Sequence, residues 1–327
     1  MALETQPRAE GPAAASSESP PVSAPPSVEV VGLTKRFGPL VAVDRLTFTV
    51  QPGRVCGFLG PNGAGKSTTL RCALGLMAPT AGEVRIDGRR YTDLADPVGT
   101  VGAVLDDSNF NPGRSARDHL LVMCAATGRP DAKAAELLAL VGLQAAGDRR
   151  VGGFSTGMRQ RLGLAAALIG DPQILVLDEP SSGLDPAGIN WLRDFLRHFA
   201  HERGRSVLVS SHLLAEIQHT ADDVVIIAGG RLVKAGALAD LIGSAATSVR
   251  VSGPDLARLE TVLEAAGCAV ERIDGALVVR GSDRATVGRL AFVERLELSE
   301  LAEHRSDLED VFLALTNEVD PAAGGQR

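Results

Sequence analysis

Along this chain, short apolar runs alternate with stretches in which hydrophobic residues recur every three or four positions. Val28-Glu29-Val30-Val31, Val41-Ala42-Val43 and Leu46-Thr47-Phe48-Thr49-Val50 read as strands. Val55-Cys56-Gly57-Phe58-Leu59 enters a glycine-rich loop, after which Lys66 to Met77 reads as a helix. Residues 115–170 are mostly helical, with leucine-spaced segments at 118–127 and 133–141. Beyond them the pattern predicts a buried strand at Ile174-Leu175-Val176-Leu177, a helix over 187–203, a strand at Val207-Leu208-Val209, a short helix over 213–219 and a strand over 224–228. Apolar strands alternating with helices predict a mostly parallel sheet covered on both faces.

A second unit begins near Ala245. Val249-Arg250-Val251 alternates, and 254–266 carries helix-spaced Leu256, Leu259, Val262 and Leu263. Two strands then meet at Asp274-Gly275, a two-residue hairpin signal. A helix over 283–293, a short strand and a closing helix over 306–316 complete a small α+β unit close to a ferredoxin-like order. The expected division is a first domain over 28–243 and an accessory domain over 245–318. Residues 1–27 are rich in Pro, Ala, Ser and Glu without a periodic apolar face. They read as a disordered tail, with a second flexible tail over 319–327.

Composition narrows the function classes. The 327 residues are 45% hydrophobic, enough for two domains and too much for a wholly disordered chain. The net charge is −7 and aromatics are only 3%, which argues against a nucleic-acid partner. Cys56, Cys72, Cys124 and Cys268 form no C-x-x-C pair, so neither a zinc site nor a disulfide framework is supported, and a reducing compartment is expected. No run approaches 18 uncharged apolar residues, and the opening Met1-Ala2-Leu3-Glu4 lacks the basic-then-apolar order of a secretory leader.

The chemistry starts at Gly60-Pro61-Asn62-Gly63-Ala64-Gly65-Lys66-Ser67-Thr68. This run matches G-x-x-x-x-G-K-[ST] between an apolar strand and a helix. Glycines let backbone N–H groups converge on phosphate oxygens, and the following helix turns its positive end toward the anion. Lys66 adds a full charge near the β- and γ-phosphates, and the Ser67 hydroxyl is a hard ligand for Mg2+. Downstream, the strand 174–177 ends in Asp178-Glu179. It would deliver both acids to the carboxyl edge of the sheet, where ligands bind in such folds. There Asp178 can hold Mg2+ through water, and Glu179 can orient the attacking water.

With these residues the chain resembles the nucleotide-binding subunits of ATP-binding cassette (ABC) proteins over roughly 28–243. Phe37 stands where that family stacks a ring on adenine. Phe154-Ser155-Thr156-Gly157-Met158 is similar to the Leu-Ser-Gly-Gly-Gln signature, whose Ser155 and Gly157 would donate to the γ-phosphate held by a second copy. Ser182-Gly183-Leu184-Asp185 resembles the D-loop that crosses the dimer interface, and His212 the switch histidine that contacts the γ-phosphate. Asp106 aligns with the family's Q-loop glutamine, which touches Mg2+, although Asp107 could take that role. Ser-Thr-Gly-Met suits the drug- and antibiotic-export branch.

The resemblance therefore implies a P-loop ATPase cassette with a mixed sheet and a helical subdomain. It implies ATP and Mg2+ as ligands, an ATP-sandwich dimer with a second copy, and a separate integral membrane permease. The expected location is cytoplasmic, on the inner face of the cell membrane. Residues 245–318 resemble the accessory domain of daunorubicin- and bacitracin-resistance-type exporters, and Leu308-Glu309-Asp310-Val311-Phe312-Leu313 its closing helix. That domain is expected to pack or stabilise the dimer, or to regulate. A non-transport ABC ATPase of ribosomes or DNA is the main alternative. It usually resembles two fused cassettes or one interrupted by a long coiled coil, neither of which occurs here. A soluble P-loop enzyme would need neither Ser155-Thr156-Gly157 nor His212.

Overall fold

The computed structural model describes residues 27–105, 110–244, 248–273, 275–304, 308–309 and 312. In chain order the elements are β1 (Val28–Phe37), β2 (Leu40–Val50), β3 (Val55–Leu59), α1 (Lys66–Ala73), β4 (Ala81–Ile86), α2 (Pro97–Thr100) and β5 (Val101–Val104). Then come α3 (Ala116–Thr127), α4 (Ala132–Leu140), α5 (Thr156–Ala167), β6 (Ile174–Asp178), α6 (Pro186–Arg197), β7 (Ser206–Ser211), α7 (Leu214–Gln218), β8 (Asp223–Ala228), β9 (Arg231–Ala237) and α8 (Leu238–Ser244). The C-terminal unit runs β10 (Ser248–Ser252), α9 (Leu256–Ala265), β11 (Ala269–Ile273), β12 (Ala276–Arg280), α10 (Arg284–Val293) and β13 (Glu300–His304).

The central sheet has the order β5-β6-β7-β3-β8-β9, parallel throughout except for β9. Its inner strands are apolar on both faces, and the two-residue period sorts them between two cores. Val55, Leu175, Leu177, Val207 and Val209 face one core, shared with α3, α4, α5 and α6. Cys56, Phe58, Ile174, Val176 and Leu208 face the other, under α1 and a separate antiparallel sheet β2-β1-β4. Burial on both faces is why these strands read as unbroken apolar runs.

Several boundaries differ from the pattern. Helix α1 stops at Ala73 rather than Met77, because Gly75 takes a left-handed φ of 68° and terminates it. Helix α6 ends at Arg197 and continues as a π-helical turn over His198–Glu202. Strand β9 is largely exposed, and β4 buries only Val84 and Ile86, so neither carries a long apolar run. The tail assigned to 1–27 lies outside the described residues except for Ser27, which is buried, with its Oγ 2.7 Å from Ser206 Oγ.

The C-terminal unit forms an antiparallel sheet β11-β12-β10-β13 in the β-α-β-β-α-β order of ferredoxin-like folds. Ile273 pairs with Ala276, the register of a two-residue turn, and Gly275 adopts φ 73° there. Asp274 lies outside the described residues, as do the tail over 319–327 and most of the expected closing helix.

Candidate nucleotide site

Strand β3 feeds the phosphate loop into the middle of the central sheet. Two of the loop glycines are required by space. A Cβ on Gly60 would lie 2.5 Å from Ile227 O, and one on Gly65, at φ 101°, would lie 2.5 Å from Ala42 O. Helix α1 starts directly after Gly65 with no acidic side chain in its first turn, so its N-terminal field faces the loop unopposed. The Lys66 side chain is 7% exposed, donates to Gly60 O at 2.6 Å and pairs with Glu179 Oε1 at 3.3 Å. Thr69 Oγ1 donates to Gly65 O at 2.9 Å and pins the loop to the helix.

The two acids arrive as their strand implies. Asp178, the last residue of β6, sits opposite Ser210 of β7. Ser210 Oγ donates to Asp178 Oδ1 at 2.5 Å and accepts from the Glu179 N–H at 3.0 Å. Glu179 has a positive φ of 47°, sparsely populated for a side chain of its kind. Its Oε2 meets His212 Nδ1 at 2.7 Å and accepts from the His212 backbone N–H at 3.3 Å. An ionised carboxylate only accepts, so Nδ1 carries the proton in this contact. One carboxylate thus bridges a lysine and a histidine beside the phosphate loop.

Asn62, Gly63, Ala64, Gly65, Lys66, Ser67 and Thr68 line a cavity of about 370 Å³ together with Glu179 and His212. Ser155, Gly157 and Asp185 line a different one, of about 710 Å³. The two linings share no residue. Ser155 caps α5, its Oγ accepting from the Met158 N–H at 3.3 Å, and Asp185 caps α6, accepting from the Gly188 N–H at 2.8 Å. Phe37, at the end of β1, is 44% exposed with Lys35 Nζ 5.1 Å from its ring, and it lines neither cavity. Asp106 and Asp107 lie outside the described residues.

Three contributions escaped sequence reading. Ser210 joins Asp178 to Glu179, and only the cross-strand register with β6 points to it. Ala42, read only as part of a strand, also lines the phosphate-loop cavity. Arg149 and Arg161 stand on the signature cavity, Arg161 stacked 4.4 Å over the Trp191 ring.

Fold and site together define a P-loop nucleoside triphosphatase: a parallel sheet, a phosphate loop opening a helix, and paired carboxylates on the neighbouring strand. A family profile described as ABC transporter matches residues 43–182, and residues 247–309 match a domain of unknown function, DUF8746. The chain is 31% identical over 297 residues to the uncharacterized ABC transporter ATP-binding protein YcbN of Bacillus subtilis, covering 89% of this chain and 97% of that protein. It is 40% identical to the bacitracin transport ATP-binding protein BcrA of Bacillus licheniformis, over 63% of this chain and 68% of that one. It is 38% identical to the Nod factor export ATP-binding protein I of Burkholderia lata, over 88% and 96%. A solved ATP-binding subunit of an ABC transporter superposes with a TM-score of 0.60 at 28% identity, covering 66% of this chain and 92% of that one. The chain belongs to the ABC transporter family as an ATP-binding subunit, and it is an ATPase.

Proposed function

We propose that two copies of this chain enclose two ATP molecules face to face and drive export through a separate membrane permease. The carrying observation is that Lys66, Glu179 and His212 line one cavity while Ser155, Gly157 and Asp185 line another. Each half lacks what the other has, so a second copy completes both. A solved bacterial ABC cassette of the same fold is described as dimeric, at 24% identity and a TM-score of 0.60. Export of a drug, an antibiotic or another hydrophobic compound is supported by relatives described as bacitracin and lantibiotic transport and Nod factor export proteins. No helix among the described residues is long and apolar enough to cross a membrane. In this reading the permease is another polypeptide, and the working location is the inner face of the membrane. Residues 28–243 act as the cassette and 245–318 as its accessory domain.

In this reading the loop amides and Lys66 hold the β- and γ-phosphates. Phe37, the exposed aromatic at the end of β1, is the adenine-stacking group. Glu179 orients a water against the γ-phosphorus and takes its proton as the bond to the leaving ADP oxygen breaks. His212 fixes the Glu179 carboxylate. Mg2+ suits the donor set, since a hydroxyl at Ser67 and a carboxylate at Asp178 are hard oxygen ligands and this ion takes its remaining ligands from phosphates and water. It would supply charge neutralisation to the phosphates, and Asp106 stands as a third candidate ligand. The test is Glu179→Gln. It should bind ATP with near-normal affinity, lose turnover by at least about a hundredfold, and accumulate as a dimer in ATP by light scattering. Rapid hydrolysis, or a strictly monomeric variant in ATP, would refute the proposal.

A further inference from the structure

His212 lies two residues before α7, and α7 is held unevenly. On one flank Leu308 is fully buried in the core that contains Ile217 and Leu241. Its backbone N–H donates to Gln218 Oε1 on α7 at 3.0 Å, and Phe312 packs on the same core. These residues follow β13, so the chain leaves the C-terminal sheet and returns to the helix behind the switch histidine. Helix α7 also borders an apolar pocket of about 190 Å³. Its lining includes Ile189, Leu192 and Leu196 of α6, Ala215 and Ile217 of α7, and Pro180 and Ser211, the neighbours of Glu179 and His212. Ile217 also touches the strand that delivers the phosphate loop, because a Cβ on Gly57 would lie 2.5 Å from Ile217 Cγ2.

Packed elements move between discrete arrangements rather than deforming continuously, and an unfilled apolar pocket beside a helix gives it a second place to pack. A five-residue helix seated through Ile217, held at Gln218 by Leu308 and bordering an apolar pocket, has room to move toward that pocket. We propose that α7 is a lever and that Leu308 and Phe312 hold it where His212 meets Glu179. Releasing that hold lets α7 settle into the cavity and pulls His212 away, so the C-terminal unit sets the rate of hydrolysis without touching the phosphate loop. This rests on the reading of Glu179 and His212 as the hydrolytic pair. Gln218 and Leu308 are positioning residues, since neither reaches the nucleotide cavity.

The experiment uses the full chain, with steady-state ATPase rates, equilibrium ATP binding and a melting curve for each variant. Leu308→Ala should lower kcat by about ten- to a hundredfold, the scale of an ångström-sized misplacement, with the ATP dissociation constant within about twofold of the parent. Adding Ala215→Leu, which fills the cavity from α7 itself, should restore most of the lost turnover. Should Leu308→Ala fail to melt cooperatively, Gln218→Ala carries the test. It removes one hydrogen bond and should cost about two- to tenfold in kcat, while Gln218→Glu, which keeps the acceptor, retains parental turnover. In a His212→Ala background Leu308→Ala should cause no further loss. Parental kcat in both Leu308→Ala and Gln218→Ala, or a loss that multiplies with that of His212→Ala, overturns the lever. Parental turnover in His212→Ala alone overturns the hydrolytic reading instead, and the two failures are thereby told apart.

Discussion

Ser210 is the sharpest single test of how this site is built. Its hydroxyl donates to Asp178 Oδ1 at 2.5 Å and accepts from the Glu179 N–H at 3.0 Å, and it is fully buried. Ser210→Ala removes both bonds and leaves Asp178, itself 5% exposed, with a buried oxygen that has lost its donor. A hydrogen bond to a charged group contributes about 1.5–3 kcal/mol and a neutral one about 0.5–1.5 kcal/mol. The expected destabilisation is therefore about 3 kcal/mol. At about 2–4 °C per kcal/mol for a domain of this size, Tm should fall by about 6–12 °C. Turnover carries a second cost. The Glu179 N–H bond is what secures a residue at a positive φ, so its loss should misplace the carboxylate and reduce kcat by about ten- to a hundredfold. ATP binding should hold, because the phosphate loop makes no bond to Ser210. Ser210→Thr keeps the hydroxyl and should recover most of kcat. The assay is a melting curve beside ATPase kinetics. Parental Tm and kcat in Ser210→Ala would show that the Ser210 bonds neither stabilise the strand edge nor aim Glu179.

Three further outcomes follow from other parts of the molecule. Lys66→Ala should weaken ATP binding by about ten- to a hundredfold, the contribution of charge-assisted bonds to phosphate, and an unchanged dissociation constant by fluorescent-nucleotide titration would contradict its role. The Arg205 guanidinium grips Asp171 with two bonds of 2.8 Å and holds its carboxyl below the ordinary range, with burial pulling the other way. Because the folded value is depressed, this contribution is present above the unfolded pKa of about 3.9 and fades as pH falls through the folded value. Asp171→Asn should thus cost up to about 1 kcal/mol at neutral pH, discounted for its exposure, and progressively less below about pH 4, read from urea midpoints. Burial raises the Cys56 thiol far above its ordinary pKa. Maleimide should therefore leave Cys56 unmodified in the folded chain at pH 8 while reaching half-buried Cys268, and equal labelling of both by peptide mass mapping would refute that.

How far the sequence could be read depended on where each feature keeps its information. The phosphate loop was legible because one contiguous run supplies the glycines, the charge and the helix start. Asp178 and Glu179 were legible because an apolar strand ends on them. Ser210 was not, since its role comes from lying opposite Asp178 across two strands 32 residues apart in sequence. Strands β4 and β9 were missed for a different reason: both are edge strands, β4 burying only Val84 and Ile86 and β9 being exposed over most of its length, so neither shows a long apolar run. The end of α1 turns on Gly75, whose left-handed φ of 68° a pattern of hydrophobic spacing does not register. In the C-terminal unit the βαββαβ order was readable because each element carries its own period and its own turn, down to the hairpin at Gly275.

The signature departs from the family form at Thr156, and its surroundings give that departure a physical meaning. Gly183, at φ 74°, has no room for a side chain, because a Cβ there would lie 2.7 Å from Thr156 Cγ2. The threonine methyl therefore fills the space above the D-loop that glycine at 156 would leave open. From Gly183 the link to Glu179 is short, since the Ser182 N–H donates to Glu179 O at 3.1 Å. In the proposed sandwich, a phosphate arriving at Ser155 and Gly157 from the second copy thus presses on a loop that turns back, within four residues, to this chain's own Glu179. In that reading Thr156 and Gly183 form a direct packing contact between the Ser155–Gly157 segment and the loop that leads back to Glu179.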